Sequence, residues 1–286
     1  MKLLLFLVLA ISAYRCFGYP RKPIDSQYEV KNKVIIVTGA ARGIGYAIAD
    51  NFLDKGAKII IILDIDLPKG RDAAATLNAK YGKNSAVFIK CDVTKDLDEV
   101  SRLILKNYDV DILVNCAGVV DEFDPRKTLT TNSIALIEWS LKFRECMRKD
   151  NGGKGGTIIN ISSIYGYTID PFLVSYKASK FAVLGFSKSL GHELNYKITG
   201  VRVLVICPGA TDTRLAKNVK VFPEHNELFT RSTDKAQKQS ADAVGRGVVE
   251  VYKSAKTGTA WDIIGGRPPV ESPLAAYTST KEILES

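Results

Sequence analysis

Across residues 33–267, short runs rich in β-branched residues alternate with longer stretches of helical periodicity, and this alternation narrows the possible folds more than any other property of the chain. The runs predict strands over Val34–Thr38, Ile59–Leu63, Ala86–Lys90, Asp111–Asn115, Thr157–Ile161, Val201–Ile206 and Ala260–Ile264. The clearest helices between them fall over Ile44–Asp54, Thr128–Lys149, Ser175–Asn195 and Ala241–Lys253. The strands are near-continuous apolar runs, the pattern required of a sheet that helices cover on both faces. The expected fold is therefore α/β, a doubly wound parallel sheet of about seven strands. An α/β chain of 286 residues commonly remains one unit, so a single domain over 33–267 is expected.

Two stretches escape the alternation. Thr211 to Ser240 is polar and strand-poor, as a mobile substrate lid would be, and 268–286 carries Pro268, Pro269 and Pro273 and reads as a surface tail. At the other end, Lys2, an apolar run from Leu3 to Ala13, and the small residues Cys16 and Gly18 predict a signal peptide over 1–18, followed by an extension over 19–32. The run is short of the ~20 residues that span a bilayer. Cleavage near Gly18 is thus favoured over an uncleaved anchor. The expected location is the secretory pathway, secreted or in the ER lumen, without stable membrane insertion after cleavage.

The formal net charge is +9, but Lys and Arg are scattered and no nucleic-acid motif accompanies them, so no nucleic acid partner is expected. Cys91, Cys116, Cys146 and Cys207 remain after the signal, at irregular spacings that suggest free, mostly buried thiols. His192 and His225 have no Cys or His partner at metal-ligand spacing, and no metal site is expected.

The first strand runs into Thr38, Gly39, Ala40, Ala41, Arg42, Gly43, Ile44 and Gly45, and then into a helix. Glycines there permit a sharp turn and the close approach of a pyrophosphate to the helix N-terminus, whose free amides and dipole favour anions. The second strand ends at Asp64, where a carboxylate can accept hydrogen bonds from both ribose hydroxyls and repel a 2′-phosphate. NAD is the cofactor this arrangement favours, on a Rossmann-type sheet. A helix cap is the other role open to Asp64, although Asp66 is equally placed for it.

Tyr176 and Lys180 stand four residues apart in a helical stretch, so both side chains share one face. A tyrosine with a pKa near ~10 is a poor base at neutral pH. An ammonium beside it and a positively charged ring above it would both favour phenolate. Ser162 and Ser163, just past the fifth strand, are the candidates for stabilising a substrate oxygen. Asn160, Ile161 and Ser162 also form a glycosylation sequon, but on a strand expected to be buried.

The three-residue gap between Gly39 and Gly43 resembles the short-chain dehydrogenase/reductase family rather than the usual dinucleotide fingerprint, and matches follow across residues 33–266. Asp92 and Val93 resemble the family's adenine contacts. Asn115, Cys116, Ala117 and Gly118 resemble its Asn-Ala-Gly turn, with Cys116 where Asn is frequent. Pro208 and Gly209, followed by Thr211 and Thr213, resemble the turn that meets the nicotinamide. The resemblance selects Ser163 over Ser162 and adds Asn132 as the residue that holds a water between lysine and solvent. It makes Tyr176 the acid/base and counts Tyr176 and Lys180 among the cofactor contacts. It also implies a homodimer paired through the helices at Thr128–Lys149 and Ser175–Asn195.

The stretch Asn151, Gly152, Gly153, Lys154, Gly155, Gly156, with Leu63 to Asp66, is similar to the 15-hydroxyprostaglandin dehydrogenase and insect-type alcohol dehydrogenase branches of the family. Leu173 stands where the prostaglandin enzymes carry a glutamine, and an apolar side chain cannot supply that hydrogen bond. The expected substrate is a secondary alcohol or ketone, with Tyr165, Tyr167 and Phe172 able to line a lipophilic pocket. A secreted binding or storage protein that kept the fold and lost the chemistry is the other class considered. Retention of Asn132, Ser163, Tyr176 and Lys180 together favours the enzyme.

Overall fold

The computed structural model describes residues 28–272. The expected signal segment 1–18, most of the 19–32 extension and the tail from 273 lie outside the described residues. Among the described residues, no helix is long and apolar enough to cross a membrane.

In chain order the elements are β1 (Val34–Thr38), α1 (Gly43–Asp54), β2 (Ile59–Asp64), α2 (Leu67–Tyr81), β3 (Ala86–Lys90), α3 (Leu97–Asn107) and β4 (Ile112–Asn115). There follow α4 (Pro125–Leu129), a π turn over Thr130–Ile134, α5 (Ala135–Met147), β5 (Gly156–Ile161), α6 (Val174–Leu190), α7 (Glu193–Thr199) and β6 (Val201–Pro208). The chain continues with β7 (Thr211–Asp212), α8 (Arg214–Lys217), α9 (Asn226–Lys235), β8 (Gln239–Ser240), α10 (Ala241–Ser254), β9 (Ala260–Ile263) and β10 (Val270–Glu271).

The main sheet has the order β10-β9-β6-β5-β4-β1-β2-β3, parallel except where β10 runs against β9. Every expected strand is present within about two residues of its expected ends. Successive residues of a strand point to opposite faces, and both faces are covered. Ile35 and Val37 of β1 pack with Ile48 and Phe52 of α1, Leu77 of α2 and Val248 of α10. Val34 and Ile36 turn the other way, into a cluster with Val100 of α3 and Trp139 and Phe143 of α5. This double burial is why the runs are apolar almost throughout.

The structure corrects several expected boundaries. The helix expected over Thr128–Lys149 starts at Pro125 and is interrupted by the π turn, where Ala135 donates its N–H to the Thr130 carbonyl. The helix expected over Ser175–Asn195 ends at Leu190 with Gly191 as its C-cap, and there the backbone passes the turn at Gly258 so closely that a Cβ would lie 2.7 Å from its nitrogen. His192 then caps α7, Nδ1 accepting from Leu194 N–H. Thr211–Ser240 is not strand-poor at its ends, since β7 and β8 pair as a two-stranded parallel ribbon that closes the segment at its base. Residues 270–271 join the sheet edge rather than a surface tail, and Val30 of the extension is buried in the core. All four described cysteines are free, but only Cys91 and Cys207 are buried, while Cys146 is exposed.

Candidate active site

In this strand order the chain reverses direction between β1 and β4, and crevices form at the carboxyl ends of strands on either side of such a point. Thr38 closes β1 there, its Oγ1 accepting from the N–H groups of Cys116 (2.9 Å) and Ala117 (3.0 Å) that follow β4. Gly39 has φ +67, and a Cβ on it would lie 2.8 Å from the Ala117 Cα. Gly43 has φ +60, and a Cβ on Gly45 would meet the Gly39 carbonyl oxygen at 2.4 Å. The three glycines thus answer separate demands of backbone shape and contact. Arg42 stands at the N-cap of α1 without a side-chain cap, so the helix presents its first amides and the positive end of its dipole to the turn, with Ile44 half-buried behind. This cradle fits a pyrophosphate.

Asp64 accepts from Ala41 N–H through Oδ2 and from Asp66 N–H through Oδ1, each at 3.0 Å, and braces the glycine turn from the end of β2. The helix cap is Asp66, which accepts from Lys69 N–H and pairs with Arg42 Nη1 at 2.7 Å. That guanidinium holds the Asp66 carboxyl below the usual carboxylate range. Asp92 closes a tight turn after β3 by accepting from Thr94 N–H and Oγ1, and the Val93 carbonyl accepts from Trp139 Nε1. Gly118 lies beside Asn132, its missing Cβ 3.3 Å from Oδ1. Pro208 ends β6, Gly209 donates to the Ile263 carbonyl, and Thr211 Oγ1 donates to the Gly209 carbonyl. Thr213 caps α8, and its methyl would lie 3.6 Å from a Cβ on Gly43. Asn115 stands at the end of β4. Its amide is buried away from the crevice, donating to Ser140 Oγ and Asn160 Oδ1. Asn160, the sequon residue, is fully buried in the same network.

Tyr176 and Lys180 lie one turn apart on α6, with the Lys180 ammonium 5.5 Å from the centre of the Tyr176 ring. The Ser163 hydroxyl, which also accepts from Tyr165 N–H, lies on the phenol side of the crevice and favours the ionised form of Tyr176. Ser162 instead donates to the Lys180 carbonyl, so its hydroxyl faces the helix. Burial pushes the phenol well above its ordinary range, opposed by the Ser163 hydroxyl. Lys180 gives a hydrogen bond to the Ile161 carbonyl (2.9 Å), and burial pushes its ammonium down to about 8. The Asn132 side chain is committed elsewhere, bonding both ways with the Val119 backbone and donating to Ser179 Oγ, which itself donates to the Tyr176 carbonyl.

An apolar wall adjoins the phenol. Phe172, Leu173 and Val221 are buried together, with Val120, Tyr165 and Phe229 packed against them. Tyr165 meets Tyr176 edge to face at 6.3 Å. Tyr167 departs from the expected pocket and packs with Leu184 and Cys207 behind it. Three further residues shape the site without having stood out in the sequence. Lys177 is buried under the 168–173 loop, pairing with Asp170 and donating to the Phe172 carbonyl (2.7 Å). Gln239 ties the base of the 211–240 segment to β9 through the Ile263 carbonyl (2.6 Å). Glu122 reaches the start of α6. A helix start at Val174 with no Ser, Thr, Asp or Asn before it was the one available sign that a cap had to come from elsewhere.

Comparisons with known proteins agree with this arrangement. A family model described as short chain dehydrogenase matches residues 33–223. The chain is 38% identical over 194 residues to 15-hydroxyprostaglandin dehydrogenase [NAD(+)] of Macaca fascicularis, covering 67% of this chain and 73% of that one. It is 32% identical over 234 residues to alcohol dehydrogenase 2 of Ceratitis rosa, covering 80% and 90%. A variant of actinorhodin polyketide ketoreductase crystallised with NADPH superposes with a TM-score of 0.70 at 25% identity, over 82% of this chain and 97% of that one. With the glycine turn at the sheet reversal and a tyrosine and lysine one helical turn apart beside it, the chain belongs to the short chain dehydrogenase family.

Proposed function

We propose that this chain interconverts a lipophilic secondary alcohol and its ketone, with NAD as hydride acceptor or donor. A dehydrogenase or reductase activity follows from the family; the substrate and the residue roles are our reading. The observation that carries it is the Lys180 ammonium over the Tyr176 phenol ring, with Ser163 favouring the ionised phenol, set against the apolar wall. In this reading Ser163 holds the substrate oxygen, Tyr176 takes or gives the hydroxyl proton, and Lys180 stabilises charge on the phenol. When bound, the dinucleotide supplies the carbon that accepts or releases hydride. Gly39, Gly43, Gly45 and the first amides of α1 would hold its pyrophosphate, and Asp64 its ribose. NAD over NADP is supported by the Asp64 carboxylate and by the pairing of Arg42 with Asp66, which removes the guanidinium as a ready partner for a 2′-phosphate.

Leu173 is buried in the wall and offers no hydrogen bond, which supports a substrate whose tail is apolar on that side. A screen of secondary alcohols of increasing chain length, with NAD⁺ and NADP⁺ in parallel, tests the reading. We expect turnover with NAD⁺ and a KM that falls as the tail lengthens, by roughly 3-fold or more per buried methylene. Preference for NADP⁺, or for short polar alcohols, would overturn it. We also propose a homodimer paired through α5 and α6, whose surfaces carry the exposed apolar side chains Leu141 and Phe181, and entry to the secretory pathway through the Leu3–Ala13 run.

A further inference from the structure

Helix α6 carries Tyr176 in its first turn, yet nothing at its own start caps it. Leu173, the preceding residue, has left-handed backbone (φ +53) and an apolar side chain. The exposed-donor problem of the first turn is solved from another loop. Glu122, in the segment after β4, accepts from Ser175 N–H through Oε2 and from Tyr176 N–H through Oε1, each at 2.9 Å. Its residue is only 4% exposed, and among the described residues no Lys, Arg or His lies within salt-bridge distance of it. A buried carboxylate is costly unless its lone pairs are met. Here two charge-assisted bonds and the positive end of a 17-residue helix meet them.

A local Ser or Asp at position 173 would cap the helix at lower cost but would tie it only to its own loop. Glu122 ties it to the loop that also contains Cys116, Ala117 and Gly118, which Thr38 fastens to the glycine turn. The backbone nitrogen of the proposed acid/base is thus joined by side-chain hydrogen bonds to the cofactor side of the crevice. We propose that Glu122 is a positioning residue for Tyr176, setting the phenol relative to the bound dinucleotide. The inference rests on the reading of Tyr176 as acid/base. Displacement of a reacting group by about 1 Å costs on the order of 100-fold in rate, so a modest shift of this turn registers in kcat.

The test compares Glu122→Gln, Glu122→Ala, Tyr176→Phe and Asp124→Ala in the full protein, with NAD⁺ and an alcohol found active in the screen. Asp124 is a cap in the same loop that serves α4 alone, through Lys127 N–H, and is the control for a purely structural role. Glu122→Gln is near-isosteric but leaves one N–H facing an amide NH₂. We expect it to lower kcat by about tenfold or more, with Glu122→Ala lower still, while NADH affinity and the KM for NAD⁺ change less than about twofold. The primary deuterium isotope effect on kcat should rise as hydride transfer becomes limiting. Asp124→Ala should lower the melting temperature without that loss of kcat. The proposal is overturned if Glu122→Gln keeps kcat within about twofold of wild type, or if its kcat, NADH affinity and melting temperature fall together. Should Glu122→Ala not fold, Glu122→Gln decides the matter alone. Turnover by Tyr176→Phe equal to wild type would remove the acid/base reading and this inference together, whereas an inactive Tyr176→Phe beside a fully active Glu122→Gln would remove only the role of Glu122.

Discussion

Among the described residues, Lys180 is buried beside a phenol with the Ile161 carbonyl as its one hydrogen-bond partner, and a buried ammonium costs folding stability. Its pKa lies at about 8 against 10.5 for the free side chain, because burial disfavours the charged form. The group is protonated in both states below about pH 8, where the folded protein bears the full cost, and neutral in both above about 10.5, where the cost is gone. Between these values the unfolded chain binds more protons, so this group makes stability rise with pH. Lys180→Met should therefore be more stable than wild type below pH 8, by at most about 3 kcal/mol, with the gap closing as pH rises towards 10.5. Paired denaturant titrations across that range check it, and a gap that widens with pH would contradict the assignment. Single residues were legible in the sequence where their spacing is local, as with Tyr176 and Lys180 at one helical turn. Glu122 was not legible, since its partners are more than 50 positions away and a lone acid in a loop carries no periodicity. The partners of the Asn115 amide were likewise not legible: its place in the chain is at the expected cofactor turn, while its side chain bonds Ser140 and Asn160, 25 and 45 positions away.

Elements were legible in proportion to their length and to how far neighbours leave them alone. The β1 to β6 strands of the sheet are apolar on both faces and long enough for a pattern to register. Strands β7, β8 and β10 have two residues each, too few for any period, and the end of α6 rests on Gly191 alone, a C-cap in the middle of an otherwise helical run. The β7–β8 ribbon matters because it pins both ends of the segment that sends Val221 and Phe229 to the wall beside Tyr176. Gln239 secures that ribbon, donating to the Ile263 carbonyl and accepting from Gly266 N–H while nearly fully buried. Gln239→Leu would remove the two side-chain hydrogen bonds that hold the ribbon to β9 and to the turn after it, at about 0.5–1.5 kcal/mol each. It should lower the melting temperature and raise the KM for the alcohol at least twice as much as the KM for NAD⁺. An equal rise in both would show that the segment does not shape the substrate side.

For the molecule as a whole, the two-faced burial of one parallel sheet fixes where the crevice lies, and the chain before β1 is part of that body. Tyr28 lies flat on the buried Arg202 guanidinium, 3.4 Å from ring centre to carbon, with Tyr252 on α10 close by. That cation–π contact joins the start of the described chain to β6, and no sequence pattern pointed to it. Assembly is a claim at this level too. Leu141 and Phe181 are exposed apolar side chains on α5 and α6, and a surface that pairs two copies would bury them. If the proposed pairing holds, wild type should sediment as a dimer and the double variant Leu141→Asp with Phe181→Asp as a monomer, and a monomeric wild type or an unchanged sedimentation coefficient would rule out this face. The whole account turns on the phenol of Tyr176, and single-turnover formation of NADH from NAD⁺ and an active secondary alcohol reads it. Tyr176→Phe should bind NADH within about twofold of wild type and form product at least ~100-fold more slowly. Product formation by that variant at the wild-type rate would contradict the account.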